Sequence, residues 1–405
     1  MKCRHCRNVL EHVFLDLGMA PFSNAYLSRE DLDKPEAVYP LKLFMCEKCW
    51  LVQTQDFARA EELFTSDYAY FSSISKSWLE HARQYCAAIT QKLGLGENSL
   101  VIEVASNDGY LLKNFVEAGI PCLGIEPTTD TANAARKLGI DVLEKFFGEV
   151  MAENIPKADL IIGNNVYAHV PDINDFTRGL KLALKPEGTI TLEFPHLLEL
   201  VRHSQFDTVY HEHFSYLSLH AVSTIFAAAG LRIFDVEILT THGGSLRVYG
   251  CHEENARKTT GNVAVVLNQE EQGGLRTLKT YQDFQAKADK AKNDFIEYIQ
   301  NQKKSGKMIV GYGAAAKGNT LLNYAGIKAD IINFVCDAAP SKQGKFLPGS
   351  HIPVLPPEAI TENKPDIIVI FPWNLAPEIR AQLGYTGAWE AKLVTAIPTL
   401  QEVSA

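Results

Sequence analysis

The segment 103–109, Glu-Val-Ala-Ser-Asn-Asp-Gly, constrains the fold of this chain more than any other stretch. It follows the apolar run 100–102 and leads into the apolar-rich stretch 110–116. That order is typical of a strand, a tight turn and a helix. Because a strand-to-helix turn presents free backbone N–H groups, a cofactor can lie against it. We therefore expect a Rossmann-like α/β domain built around this turn.

The residues of this turn also restrict the cofactor. An acidic residue, Glu103, ends the predicted strand, where it would oppose a phosphate but suit a cofactor that carries a positive charge and no pyrophosphate. S-adenosylmethionine has those properties. The residues that we predict to bind it within the turn are Glu103, Ala105, Ser106, Asn107, Asp108 and Gly109.

Two later strand ends extend the predicted cofactor site. Glu126 follows the run 122–125, and a carboxylate there can accept hydrogen bonds from both hydroxyls of an adenosine ribose. Asn164 and Asn165 end the next predicted strand, at the sheet edge where ligands bind. The alternative is an NAD fold, which usually shows G-x-G-x-x-G, whereas this turn has only Gly109. The pattern therefore favours a class I methyltransferase domain.

Two Cys-x-x-Cys pairs predict a metal site in the first 50 residues. Such a turn directs two thiolates to one point, and two turns complete a tetrahedron around zinc. The alternative is a pair of redox dithiols or unrelated cysteines, but both pairs share the same spacing. Because four thiolates leave no open position, we expect the zinc to be structural. The predicted ligands are Cys3, Cys6, Cys46 and Cys49.

Length and charge limit the remaining possibilities. A chain of 405 residues suggests two or three domains of about 100–200 residues each. Its formal net charge of -9 argues against nucleic acid or an anionic membrane as the main partner. No apolar stretch has the length of a transmembrane helix, and the N-terminal residues lack the apolar core of a signal peptide. We therefore expect a cytoplasmic protein, a monomer or a small homo-oligomer.

The stretch 209–216, Val-Tyr-His-Glu-His-Phe-Ser-Tyr, is dense in groups that move protons. A histidine acts as a general base near neutral pH, and a tyrosine can stabilise an oxyanion or relay a proton. On a strand, His211 and His213 would share one face, so they could instead bind a metal, although H-E-x-x-H is absent. Polar residues satisfied within a packed segment are the plainer alternative. The clustering favours catalysis.

A second pattern of strand, turn and helix occurs at 307–322. Small residues in the turn let the backbone approach a ligand, the helix N-terminus favours anions, and Lys317 adds a positive charge. These features suit a pyrophosphate, although the sequence is not a P-loop. The alternative is a domain that only dimerises or supports the first one. The predicted substrate contacts are Gly313, Lys317, Asn319 and Asp337 and, in a separate loop, Ser245 and Arg247.

These patterns divide the chain into three regions. We place a zinc-binding module at 1–65, the methyltransferase domain at 66–200 and a substrate-binding C-terminal region at 201–405. The last region contains a linking helix at 275–305, whose apolar residues recur at steps of three and four, and an α/β domain at 306–400.

The order of these blocks resembles one family throughout the chain: the S-adenosylmethionine-dependent sugar C-methyltransferases. Members of that family act on nucleotide-linked 4-keto-deoxysugars, at C3 in the best-known cases. The shared order is more specific than any single block. The matching blocks are the four cysteines and the segments 103–109, 124–127, 169–172, 210–214, 243–245 and 313–319. One departure is Ala105, where the family often has glycine, and its methyl group would tighten the cofactor pocket.

The resemblance implies an N-terminal zinc module, a central methyltransferase domain and a C-terminal Rossmann-like α/β domain that helps to hold the nucleotide sugar. A ketone at C4 acidifies the C3 hydrogen, so a base can remove it and leave an enolate that attacks the methyl group carried on sulfonium. We expect His213 to be that base. The other residues expected around the reaction are Tyr210 and Glu212, which orient the base or the sugar, Tyr68 and His169 beside them, and Tyr70 and His211 against the substrate.

Other functions remain compatible with the sequence. An NAD-dependent nucleotide-sugar oxidoreductase would use the Gly-Tyr-Gly-Ala turn at 311–314. A sugar O-methyltransferase would use the same base to deprotonate a hydroxyl. A silent binding or scaffold protein is the third alternative, and the clustered His, Tyr and Glu residues argue against it.

Overall fold

A computed structural model describes residues 1–57 and 72–404 of the protein. Tyr68 and Tyr70, two of the predicted site residues, lie outside the described residues. The strands of the described ranges are β1 (His12–Ala20), β2 (Tyr39–Met45), β3 (Val52–Thr54), β4 (Val101–Val104), β5 (Cys122–Ile125), β6 (Asp141–Leu143), β7 (Ala158–Asn164), β8 (Leu184–Pro195), β9 (Ser215–Tyr216), β10 (Leu231–Leu239), β11 (Ser245–His252), β12 (Ile309–Tyr312), β13 (Val335–Cys336), β14 (Val354–Leu355), β15 (Ile367–Ile370), β16 (Lys392–Thr395) and β17 (Gln401–Ser404).

The α-helices pack around three sheets, which contain four, seven and six of these strands. None of the helices in the described residues is both long and apolar enough to cross a bilayer. In chain order the helices are α1 (Lys76–Leu93), α2 (Lys113–Glu117), α3 (Thr129–Lys137), α4 (Glu149–Ala152), α5 (Ile173–Ala183), α6 (Leu197–Arg202), α7 (Leu219–Ala228), α8 (Gly261–Gln272), α9 (Leu278–Gln282), α10 (Phe284–Lys304), α11 (Ala316–Ala325), α12 (Glu358–Asn363) and α13 (Ala376–Gln382).

The central sheet has the strand order β10-β11-β8-β7-β4-β5-β6. β4 pairs in parallel with both β5 and β7, so the chain moves outward from β4 in one direction and then in the other. Such a reversal is the topological switch point of a doubly wound sheet, and ligands bind there, outside the carboxyl ends of the strands. The α/β fold predicted around the turn at 103–109 is therefore confirmed, and that turn lies at the switch point.

One edge of this sheet is antiparallel. β11 pairs with β8, and β10 pairs with β11, each in the antiparallel sense. The sheet thus continues to residue 252, beyond residue 200, where we placed the end of the methyltransferase domain. The hairpin covers the edge of β8 that would otherwise present unpaired backbone groups.

The C-terminal sheet repeats the same plan with the order β14-β13-β12-β15-β16-β17. β12 pairs in parallel with β13 and β15, which creates a second switch point at the carboxyl end of β12. β17 joins the other edge in the antiparallel sense. The alternation of strand and helix predicted for 306–400 is present in the structure.

The N-terminal sheet is antiparallel, with the order β1-β2-β3-β9. Its outer strand β9 comes from the histidine-rich stretch, far along the chain from the other three. Along β2, buried residues alternate with more exposed ones, because one face of the sheet packs on the core. That core is shared with the linking helices, since the Phe14 ring lies 5.2 Å from the Tyr281 ring and 4.8 Å from the Phe284 ring.

The linking helix predicted at 275–305 is divided in the structure. The short helix α9 ends at Gln282, and α10 begins at Phe284. The buried aromatic residues on either side of the division, Tyr281 and Phe284, both pack against Phe14. The predicted end of the helix is correct, because Ser305 caps α10 and Gly306 follows with a φ of +77°.

Candidate active site and zinc centre

The four predicted metal ligands come together at the N-terminus. The Sγ atoms of Cys3, Cys6, Cys46 and Cys49 all lie within 4.8 Å of one another. Two pairs of them, Cys3 with Cys49 and Cys6 with Cys46, are 3.6 Å and 3.5 Å apart. A tetrahedron with Zn–S bonds of about 2.3 Å places its sulfurs about 3.8 Å apart, so the four thiolates fit a closed structural zinc site.

The loop after β4 contains three residues with positive φ angles. Ala105, Asn107 and Gly109 have positive φ angles of 58°, 49° and 78°. A side chain at Gly109 would also place its Cβ 2.5 Å from Cδ1 of Ile140. Glycine is therefore required at this position both by the backbone angle and by the space around it.

Carboxylates surround this loop. Glu103 is buried, and burial raises its pKa well above the ordinary value, with smaller contributions from the charges of Glu126 and Asp108. Glu126 accepts hydrogen bonds from the backbone N–H groups of Asn107 (2.9 Å) and Thr128 (3.0 Å). Three carboxyl groups close to one loop favour a cationic ligand and disfavour a pyrophosphate.

Several buried polar atoms at this switch point have no hydrogen-bond partner among the described residues. Buried polar groups are normally satisfied, so these atoms mark where a ligand with amino and hydroxyl groups would bind. S-adenosylmethionine carries both kinds of group, and the residues therefore fit it. The atoms are Glu103 Oε2, Ser106 Oγ, Asp108 Oδ1, both side-chain polar atoms of Asn164, and Asn165 Oδ1.

Two histidines meet beside this site. His169 follows β7 in the short 3-10 helix Tyr167–His169, and the centroid of its ring lies 4.6 Å from that of His213. Burial lowers the pKa of His169 to about 4 and that of His213 well below its ordinary value. Both rings are therefore neutral near pH 7, which is the form that accepts a proton.

The local contacts of His213 orient its ring. The Tyr210 ring lies 4.0 Å from it, measured between centroids. A hydrogen bond with the backbone of Thr208 raises the pKa of His213 slightly against the larger effect of burial. A carbonyl that holds one ring nitrogen as a donor leaves the other as the acceptor.

His211 and Glu212, from the same stretch, have different neighbours from those of His213. Residues 211–212 form a turn rather than a strand, so His211 and His213 do not share a strand face. The His211 ring instead packs against Phe22, at a centroid distance of 5.3 Å. Both carboxylate oxygens of Glu212 accept hydrogen bonds from the Asn24 side chain, at 2.9 Å and 2.8 Å.

Sequence reasoning missed His242. Its Nε2 lies 2.9 Å from Nδ2 of Asn165, and burial lowers its pKa to about 4. The residue has a φ of +54°, which is unusual for histidine. Its position directly before the predicted Gly243-Gly244 loop was the available signal, but nothing local in the sequence pairs it with Asn165.

Lys317 connects the C-terminal domain to the histidines. Its Nζ donates a hydrogen bond to Oδ1 of Asn374 (2.7 Å) and lies 4.3 Å from the centre of the Trp373 ring. Burial lowers the pKa of Lys317 to about 8, while the charge of Asp207 opposes that shift. After the larger effect of burial, the positive charge of Lys317 contributes to lowering the pKa of His213 and of His242.

Asp207 was also missed. Burial raises its pKa to about 6, and its Oδ2 accepts a hydrogen bond of 2.7 Å from the Trp373 indole. No local pattern in the sequence marks this aspartate, because both its partners, Trp373 and Lys317, come from the distant C-terminal domain.

The turn after β12 is built like the one after β4. Gly313 has a φ of +85°, and a Cβ there would lie 2.4 Å from Cδ of Pro372. The Asp337 carboxylate accepts hydrogen bonds from the backbone N–H groups of Ala314 (2.7 Å) and Ala339 (2.8 Å), so it holds the turn. Asn319 donates to the Ser23 carbonyl at 2.6 Å, which joins this turn to the N-terminal module.

The remaining predicted contacts lie inside the central sheet. Ser245 Oγ donates to the Thr241 carbonyl (2.9 Å). Arg247 is buried and paired with the carboxylates of Glu193 (2.8 Å) and Glu237 (3.1 Å). Because two carboxylates already neutralise this guanidinium, it is a poorer phosphate ligand than Lys317.

Three family profiles together match most of the chain. A zinc-binding domain matches residues 3–64, a methyltransferase domain matches residues 78–236, and the C-terminal domain of C-methyltransferases matches residues 240–398. The C-methyltransferase NovU of Streptomyces niveus is 34% identical over 382 residues, which is 93% of this chain and 91% of NovU.

Two solved structures each overlap less than half of this chain. A chain from the complex of the Trm112 activator with a methyltransferase of Haloferax volcanii has 13% identity and a TM-score of 0.37, covering 44% of this chain and 92% of its own. Magnesium protoporphyrin IX methyltransferase from Synechocystis PCC 6803 has 15% identity and a TM-score of 0.37, covering 43% of this chain and 84% of its own.

Proposed function

Because this chain belongs to the family of S-adenosylmethionine-dependent C-methyltransferases, we propose that it methylates C3 of a nucleotide-linked 4-keto-deoxyhexose. The observation that carries the proposal is the neutral, buried His213 ring against His169 and Tyr210. A carbon acid next to a ketone needs such a base, since the proton must leave before carbon becomes a nucleophile. Family membership also argues against an NAD-dependent oxidoreductase, because the chain is a methyltransferase.

His213 accepts the C3 proton in this proposal. The hydrogen bond to the Thr208 backbone holds one ring nitrogen, and the other nitrogen takes the proton. His169 and Tyr210 pack against the ring and limit its rotation. Burial keeps water from the enolate that remains on the sugar.

The loop after β4 holds the methyl donor in this proposal. S-adenosylmethionine would supply a methyl group on a positively charged sulfur, and the sulfur would leave as part of S-adenosylhomocysteine. The carboxyl groups of Glu103, Asp108 and Glu126 would surround this cation, whose positive charge would favour the ionised form of Glu103. Asn164 and Asn165 would orient the donor from the neighbouring strand end. Nε2 of His242 lies 2.9 Å from Nδ2 of Asn165, so His242 would stand beside the donor as well.

The anionic part of the nucleotide sugar would bind at the turn after β12. Lys317 supplies the positive charge there, and Gly313 permits a close approach of the backbone. Asn319 and Asp337 fix the turn through hydrogen bonds to Ser23 and Ala314. The sugar ring would then extend from this turn towards His213.

The direct test mixes purified protein with methyl-labelled S-adenosylmethionine and a panel of nucleotide-linked 4-keto-6-deoxy sugars in heavy water. We expect the label on C3 of the sugar in the product NMR spectrum, and deuterium at C3 when the methyl donor is omitted. A methyl group on oxygen would establish a sugar O-methyltransferase and overturn the carbanion step. No transfer to any sugar of the panel would overturn the proposed substrate class.

A further inference from the structure

The zinc module contacts the segment that carries the base. We call residues 208–216, which run from Thr208 through His213 to β9, the base segment. Its last two residues form β9 and pair with β3 of the zinc module, Tyr216 with Val52 and Ser215 with Gln53. The backbone that follows the base therefore belongs to the sheet of the zinc module, not to the methyltransferase sheet.

Thr54 extends this pairing to the base itself. Its hydroxyl donates a hydrogen bond of 3.1 Å to the backbone carbonyl of His213, and its backbone N–H donates to the Phe214 carbonyl at 3.2 Å. Thr54 is only 2% exposed. A buried hydroxyl that holds one carbonyl fixes the position of the peptide from which the His213 ring extends.

Arg4 of the zinc module also contacts the base segment and its neighbours. Its guanidinium donates to the carbonyls of Pro171 (2.7 Å) and Thr54 (3.0 Å) and to the carboxylate of Asp56 (2.7 Å). It also lies 5.3 Å from the centre of the Phe214 ring, next to the base in sequence. One side chain thus joins β3, the base segment and the loop that follows His169.

The zinc ligands fix the position of Arg4. The residue lies between Cys3 and Cys6, and its backbone N–H donates to Oε1 of Gln53 at 2.8 Å. The Nε2 of Gln53 donates to Sγ of Cys3 at 3.3 Å. The two Cys-x-x-Cys turns and Gln53 therefore hold the backbone of Arg4 in place. Partners beyond the metal ligands commonly have this role around zinc.

We propose that Arg4 and Thr54 are positioning residues for the base, so that the folded zinc module sets the orientation of His213. The proposal rests on the role proposed above for His213 in proton abstraction. Neither residue touches the reacting atoms in this proposal, since both act through the backbone of the base segment. A displacement of the ring by about 1 Å is enough to slow a step by about a hundredfold.

Matched variants separate positioning from folding. Thr54→Val removes the hydroxyl but keeps the shape of the side chain, whereas Thr54→Ser keeps the hydroxyl. Arg4→Met removes the guanidinium, and Arg7→Met does the same to an exposed arginine of the same turn. For each variant we would measure the zinc content, the S-adenosylhomocysteine affinity, the imidazole resonances of His213 and the sugar C3 exchange rate in heavy water.

We expect Thr54→Val and Arg4→Met to shift the His213 resonances and to slow C3 exchange by about tenfold or more. Zinc content and S-adenosylhomocysteine affinity should stay within about twofold of those of the unmodified protein, as should every property of Thr54→Ser and Arg7→Met. The His213→Asn variant identifies the resonances.

Unchanged His213 resonances in both Thr54→Val and Arg4→Met would overturn the proposal. An equal shift in Thr54→Ser and Thr54→Val would overturn the role of the hydroxyl. If the unmodified protein exchanged no sugar proton at all, the proposed function would fail, yet the resonances would still decide whether the zinc module positions His213.

Discussion

The loops after β4 and β12 occupy equivalent places in two doubly wound sheets, but their charged groups differ in sign. Gly109 and Gly313 both adopt positive φ angles at sites where a Cβ would lie about 2.5 Å or less from a neighbour. Around the first loop, Glu103 stands close to two other carboxyl groups, whereas Lys317 supplies a partly buried positive charge beside the second. The fold supplies two equivalent places for a ligand, and side chains decide which ligand each place accepts.

The largest effect should come from the base, which belongs to neither loop. His213→Asn removes the proton acceptor and should lower kcat by about a thousandfold or more, because general base catalysis is worth about 10²–10⁴. S-adenosylhomocysteine affinity, measured by calorimetry, should remain nearly unchanged. His203→Asn, at an exposed histidine, is the control. Normal turnover by His213→Asn would remove this residue from the mechanism.

A change in the carboxyl groups around the loop after β4 should weaken only the binding of the methyl donor. Glu126→Gln removes one of the charges around the cofactor and should lower S-adenosylmethionine affinity by about ten- to hundredfold, since a hydrogen bond to a charged group is worth about 1.5–3 kcal/mol. The KM for the sugar should not change. A parallel loss of affinity for both substrates would contradict the assignment of the two loops to two different ligands.

A change at Lys317, beside the loop after β12, should weaken only the binding of the nucleotide sugar. Lys317→Met removes the positive charge and should raise the KM for the nucleotide sugar by about tenfold, with S-adenosylmethionine affinity retained. The same change should raise the pKa of His213, since the charge of Lys317 lowers it. Steady-state kinetics with each substrate varied in turn would separate the two effects, and an unchanged sugar KM would reject Lys317 as the anion ligand.

The pH dependence should report both the base and Lys317 in one profile. His213 acts when it is neutral, which is above its lowered pKa. The loss of kcat/KM at acid pH should therefore have its midpoint below pH 6.5. Lys317 acts when it is charged, which is below a pKa of about 8, so the rate should decline as the pH rises through about 8. In Lys317→Met the alkaline decline should disappear, and a decline that persists would assign it to another group.

The smallest effect concerns the one alanine in the first loop. Ala105 has a φ of +58°, a conformation that glycine adopts without steric cost. Ala105→Gly should therefore raise the free energy of unfolding by only about 0.5 kcal/mol, because the greater freedom of glycine in the unfolded chain offsets most of the gain. Gly109→Ala should do the reverse with a larger loss, given its contact with Ile140. Denaturant melts of both variants would measure this contrast.

Local patterns in the sequence predicted the parts of the fold that depend on neighbouring residues. The strand and turn at 103–109, the strand end at Asn164 and the turn at Gly313 each follow from a few adjacent residues. The four zinc ligands followed from a repeated spacing. The doubly wound sheets confirm the predicted strands and turns, and the four cysteine sulfurs lie within 4.8 Å of one another.

Contacts between distant segments could not be predicted in that way. His242 meets Asn165, and Asp207 meets Trp373, only because three regions of the chain converge. The contacts of Lys317 with Asn374 and Trp373 likewise depend on the packing of the C-terminal domain. The assignment of β9 to the N-terminal sheet has no local signal, since two residues suffice for the pairing.

The pairing of β3 with β9 also restricts how the protein can be made. During synthesis the first three strands of the N-terminal sheet leave the ribosome long before Ser215 and Tyr216 exist, so their sheet stays incomplete while most of the central domain is translated. Closing so long a loop is slow, and the aromatic core around Phe14 waits still longer, for α10. The zinc module precedes the two α/β domains along the chain, yet its sheet cannot be complete before part of the central domain has been made.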